Sequence, residues 1–198
     1  MGKKEDEIVN RELRWRIVTL QVILVVVFGF CAGFLFWGSS FVNGMVHDEL
    51  VAQKIYFPPS SEIKAGGALD PAVFSAEIRN YAGQQVDNGT KARVYADDFI
   101  AVHLTKVANG RTYSQVSAAS LADPTNTTLA AQANTLFRGE TLRGLLLNAW
   151  GWSQVAMYAF FAAIGLTIAT IAVFGALVFE LVLAPRGAGA AKREPTPA

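Results

Sequence analysis

Two stretches without a formal charge, residues 17–37 and 155–179, restrict what this chain can fold into more than any other feature. The first has 21 residues and the second 25. A helix rises about 1.5 Å per residue, so even the shorter run spans about 30 Å, the thickness of a bilayer's hydrocarbon core. Composition points the same way. The chain is 52% hydrophobic and 17% charged, whereas soluble domains carry roughly a quarter charged residues. The expected class is an all-α membrane protein, with two antiparallel transmembrane helices at 17–37 and 155–180 and a helical extracytoplasmic domain at 38–154 between them.

Tryptophan marks the limits of both runs, because indole prefers the headgroup level. Trp15 precedes the first run, Trp37 closes it, and Trp150 and Trp152 lead into the second. Three of the four thereby fall on one membrane face. A cleaved signal peptide is disfavoured: its apolar core runs to about 7–15 residues, and here a long charged segment also comes first. Phe30 stands where a lipoprotein needs a small residue before Cys31, and Asp6 stands where myristoylation asks for Ser or Thr. Cys31 reads as a small apolar residue. As the only cysteine, it excludes an intramolecular disulfide.

Orientation follows from the short tails. Lys3, Lys4, Arg11, Arg14 and Arg16 lie before the first run, and Arg186, Lys192 and Arg193 lie after the second. Basic residues in short flanks stay cytoplasmic, whereas long segments cross largely regardless of charge. Both tails (1–16 and 181–198) are therefore expected inside a plasma membrane and residues 38–154 outside it, with 187–198 a disordered tail. The net charge of +1 gives no basis for a nucleic-acid partner.

Apolar spacing in the outer segment is helical. Phe41, Val42, Met45, Val46 and Leu50 extend the first helix outward to Pro58-Pro59. Asp70-Pro71 predicts a helix through Phe74, Ile78 and Tyr81 to Gly83. Asn88-Gly89 predicts a break, after which Thr90 caps a helix running to Asn109-Gly110. Residues 112–121 predict a short helix and Asp123-Pro124 opens another, interrupted at Gly139. Residues 141–149 are apolar enough for the membrane surface or the underside of the domain. No strand alternation, internal repeat or heptad array is evident.

The stretches VNGMVHDELVAQKIYFP, YAGQQVDNGTKARVYADDFIAVHL and LFRGETLRGLLLNAWGW, with both apolar runs, resemble a family of uncharacterised two-pass membrane proteins from actinobacteria. The resemblance implies an architecture and no activity. Members are sometimes labelled aromatic ring-opening dioxygenases, a soluble iron-enzyme class.

A non-haem iron site takes two His and a carboxylate. His47, Asp97, Asp98 and His103 offer those types, but the acids lie five and six residues before His103, and helical neighbours on one face are three or four apart. Such a site requires distant segments to meet, so no metal or cofactor is expected and this set is the weak alternative. No nucleophile elbow, Walker loop or dinucleotide fingerprint occurs, and no catalytic residue is assigned. Asn88 and Asn126 fit glycosylation sequons of a kind common by chance. Small residues in the runs, Gly29/Gly33, Ala159/Ala163, Gly165/Ala169 and Ala172/Ala176, suit close helix packing. The spans hold no charge; Thr19, Gln21, Thr167 and Thr170 are their notable polar positions, and a transport path usually declares itself with ionisable groups. The expected function is that of a non-enzymatic accessory or scaffold protein, a homo-oligomer or a subunit of a membrane complex. The alternatives are a metal-binding protein or metal-dependent enzyme, and a homo-oligomeric pore.

Overall fold

The computed structural model describes residues 2–67 and 69–183, with the side chains of 11–67 and 69–182. The expected disordered tail at 187–198 and the side chains of Lys3, Lys4, Arg186, Lys192 and Arg193 lie outside the described residues. Helices α1 (Gly2–Gln53) and α6 (Thr127–Val178) have 52 residues each. Between them come α2 (Ala76–Asn80), α3 (Gly89–Val94), a π-helical turn (Tyr95–Ile100), α4 (Ala101–Val107) and α5 (Tyr113–Ala122). A second π-helical turn, Phe179–Leu183, follows α6. No strand occurs among the described residues; Tyr56 and Gln85 form an isolated antiparallel bridge. Two helical stretches, Arg11–Gln53 and Thr127–Val182, are long and apolar enough to cross a membrane.

The chain divides into two compact units, Met1–Gly38 with Tyr158–Ala198, and Ser39–Met157. In the first, covered positions recur in steps of four and three. On α1 they include the file Arg14, Val18, Gln21, Val25, Phe28, Ala32 and Leu35, with Leu24, Cys31 and Gly38 beside it; on α6 and the turn after it they include Ala159, Ala163, Leu166, Thr170, Val173, Leu177 and Glu180, with Thr167 and Ala169 beside them. A seven-residue period is that of helices packed in a left-handed pair. The sequence reading missed it because the outward positions, such as Val22, Val26 and Phe30, are as apolar as the covered ones. Hydrophobicity therefore does not mark the seam. Phe36 and Phe160 meet edge-on at 5.7 Å, and Arg14 donates to the Glu180 carbonyl and pairs with its carboxylate at 3.8 Å.

In the second unit, Phe57, Ile78, Val86, Val94, Val116 and Leu136 are the largest fully buried side chains. Helix α1 ends five residues before Pro58, a correction to the expected stop. Lys54 takes a left-handed φ of 52°, which releases the next residues to pair: Val86 N–H donates to the Ile55 carbonyl and Phe57 N–H to that of Gln84, both at 2.9 Å. Instead of one helix from Asp70 to Gly83, the Asp70 carbonyl closes a turn on Val73 and Phe74, and α2 starts separately after an extended Ser75. The interval lets Leu69, Phe74 and Ile78 all enter the core.

Two glycines at expected breaks are hemmed in by distant contacts. Gly89 is the first residue of α3, capped by the Asn88 side chain on Lys91 N–H at 3.0 Å rather than by Thr90. A methyl group there would lie 2.5 Å from Ser153 Cβ and 3.2 Å from Trp150 Cα. Gly139 does not interrupt α6. A methyl group at that position would strike the Leu104 side chain, so its hydrogen lets α4 press against an unbroken helix. That helix also includes residues 141–149, and it starts from an Asn126 cap on Leu129 N–H at 3.1 Å. The expectations for α5 and for the Asn109-Gly110 terminus hold: Thr112 and Gln115 form a capping box, and Gly110 N–H reaches the Thr105 carbonyl at 2.9 Å.

Candidate functional site

Ala92, Ala96, Ile100, Leu104 and Ala108 are all buried at intervals of four. In a regular α-helix such a row drifts about 40° per step, because 3.6 residues make a turn. The wide turn Tyr95–Ile100 absorbs the excess and keeps the row facing the core. It also sets Tyr95, Phe99 and His103 in a file, with ring centres 4.8 and 4.5 Å apart. Phe57 and Phe74 lean on this file at 5.3 and 5.2 Å, and the Lys106 ammonium lies 4.8 Å from the Phe74 ring centre. Burial holds the Tyr95 phenol above its ordinary pKa.

The same turn carries Asp97 and Asp98 to different partners. Asp97 accepts from Arg143 Nη2 at 2.9 Å and Nε at 3.2 Å, while Asp98 accepts from the Ser75 hydroxyl at 2.8 Å. Arg143 also reaches Glu140 at 3.3 Å. Its pKa is raised, first by the hydrogen bond to Asp97 and against the opposing cost of burial. His103 Nδ1 lies 2.9 Å from the Phe99 carbonyl, and His47 Nδ1 2.9 Å from that of Asp87. Among the described residues, no three His, Cys, Asp or Glu side chains come together as a metal-holding group. The structure thus places His47, Asp97, Asp98 and His103 in separate hydrogen-bonding arrangements.

The small residues of the runs are divided. Ala163 is fully covered, with Ala159 and Ala169 half-buried, whereas Gly29, Gly33, Gly165, Ala172 and Ala176 are exposed. A methyl group on Gly29 would lie 3.9 Å from Thr170 Cγ2, and one on Gly33 or Gly165 would meet nothing. The hydroxyls of Thr19, Thr167 and Thr170 donate to carbonyls four residues back. Gln21 Oε1 is buried without a hydrogen-bond partner. Trp15, Trp37 and Trp152 are exposed, and Trp150 is half-buried.

One recess in the second unit has the character of a binding site. A groove of about 340 Å³ opens between α1 and α6, walled by Met45, Val46, Leu50, Leu142, Leu145 and Ala149, with Trp152 among its lining residues. Glu49, Gln53 and Asn148 supply its polar lining. It forms because the two helices lie side by side with small or flexible residues between larger ones. Sequence reasoning identified Met45 and Leu50 as stem positions but not the groove, since nothing in the periodicity says which part of α6 faces α1. No family model, curated protein or solved structure matches the chain.

Proposed function

We propose that the protein is a two-pass integral membrane protein of accessory or scaffold type, acting through contacts of its outer helical unit and its membrane helices rather than through catalysis. The observation that carries this reading is how the outer unit uses its charges: Arg143 is bound to Asp97 and Glu140, Arg93 to Glu77 and Lys91 to Asp87, while its groove is mostly apolar. Such a surface suits recognition.

The membrane part of the reading rests on how little of each apolar helix is covered: 11% of its most apolar 18-residue window is buried, where the central helix of a soluble protein is mostly enclosed. The pairings Arg14 with Glu180, Gly29 with Thr170 and Phe36 with Phe160 ascend one helix while descending the other, which supports an antiparallel hairpin. Basic flanks place both tails in the cytoplasm. The exposed glycines Gly33 and Gly165 offer backbone to a further helix, in a second copy or in another subunit.

The test is purification of the full chain from its native membrane in mild detergent after brief crosslinking. A stoichiometric partner or a second copy is expected, and replacement of Gly33 and Gly165 by Leu should weaken that adduct while insertion persists. Recovery of the chain alone, with tightly held iron or zinc that is lost in His47→Ala and His103→Ala, would instead favour the metal-dependent alternative.

A further inference from the structure

We propose that the groove between α1 and α6 in the outer unit holds one acyl chain of a bilayer lipid whose headgroup carries an ammonium. This inference rests on the membrane reading above. Its first support is position. Trp152 lies three residues before the apolar run that starts at Val155, about 5 Å along a helix. The end of the groove lined by Trp152 thus lies near the headgroup level, where lipid is always the most abundant apolar ligand.

The lining has the polarity of a lipid. Leu142, Leu145, Leu146 and Met45 face a chain that needs no hydrogen bonds, and methionine adapts to a chain of variable kinking. Glu49 is the only ionisable group in the lining, with Asp48 beside it on a neighbouring shallow recess. Two carboxylates favour an ammonium and oppose a head with net negative charge. The amides of Gln53 and Asn148 can donate to the ester or phosphate oxygens of the same head. Size argues against a protein helix as the occupant: a helix with its side chains is about 10–12 Å across, and about 340 Å³ is near the lower limit for small-ligand sites, about 300 Å³. Leu145 and Trp152 remain 64% and 50% exposed, so the groove is open along its side and a chain can enter without local unfolding.

The test uses the full chain reconstituted in vesicles of phosphatidylethanolamine and phosphatidylglycerol, with a trace of phosphatidylethanolamine bearing a diazirine on its acyl chain. After illumination, adducts are mapped by peptide mass spectrometry. Labelling is expected within 142–152 and 45–55 as well as within 155–179. Leu145→Arg, at an exposed position that spares the fold, should lower the groove adducts about tenfold and leave those in 155–179 unchanged. Glu49→Gln should remove the preference for the ethanolamine probe over a matching glycerol probe. Labelled spans with an unlabelled groove would overturn the lipid site while leaving the membrane reading intact. Groove labelling indifferent to both substitutions, or replaced by a protein crosslink, would also overturn it. A chain labelled nowhere and released from the vesicles at alkaline pH would remove the membrane reading and this inference together.

Discussion

The unit Ser39–Met157 and the unit of paired apolar helices bury different things. In Ser39–Met157, aromatic and branched side chains from every segment converge: Phe57, Ile78 and Val86 are at most 2% exposed. In the other unit many large residues point outward, Phe30 at 74% and Ile171 at 66% exposed, while Ala32 and Ala163 are covered together with Val18 and Leu177. The first arrangement is what water selects, since apolar area is driven inward. The second is what a hydrocarbon solvent permits, where helices associate by close packing of small residues and gain little from hiding large ones.

The largest expected effect separates the two directly. Phe57→Ala should destabilise the unit Ser39–Met157 by about 3–5 kcal/mol, measured by denaturant unfolding in mild detergent, whereas Phe30→Ala should leave that transition within about 0.5 kcal/mol. Equal losses would erase the distinction. The glycines give the next contrast. Gly89→Ala forces a methyl group against Ser153 and the Trp150 backbone and should cost about 1–3 kcal/mol, while Gly33→Ala enters open space and should cost nothing. Smaller again is the loss of a cap: Asn88→Ala should lower stability by about 1 kcal/mol, and hydrogen exchange should quicken first at the start of α3.

The smallest effect is on pH dependence. Asp70 accepts from Ala72 and Gly66 N–H, and these bonds hold its carboxyl below the ordinary value, the Ala72 bond most. Its contribution to stability is therefore present above the unfolded pKa, near 3.9, and fades as pH falls through the lower folded value. Asp70→Asn should remove that small contribution at neutral pH and flatten the acid limb of an unfolding titration, the two proteins converging at low pH. An unchanged acid limb would show that the turn does not depend on the charge.

Much of this contrast was legible in the residues. Uncharged runs bounded by tryptophan identify the long apolar helices, and the turn chemistry of Asn109-Gly110 and Thr112/Gln115 fixes ends that depend only on neighbouring residues. The misreadings lie where a distant contact decides. Gly139 looks like a break until Leu104 is known to press on it, and the break at Asn88-Gly89 is present but its cap is Asn88 rather than Thr90. The helix predicted from Asp70 yields to a turn that the Asp70 carbonyl closes on Val73 and Phe74 N–H, and a separate helix follows the extended Ser75. Asn88 and Asn126 match glycosylation sequons, yet their side chains cap helices, and the following Thr residues are simply in the first turns. The groove was the least legible, since its walls come from residues almost a hundred positions apart.

The most direct test of the central proposal, an outer unit carried outside the cell by two crossing helices, is labelling of single cysteines in intact cells. With Cys31 replaced by Ser, S60C and A190C are each exposed to a membrane-impermeant maleimide before and after lysis. The account predicts that S60C reacts in intact cells and A190C only after lysis. Reaction of A190C in intact cells with S60C protected would invert the topology, and protection of both until lysis, with the protein recovered in the soluble fraction, would contradict the membrane reading itself.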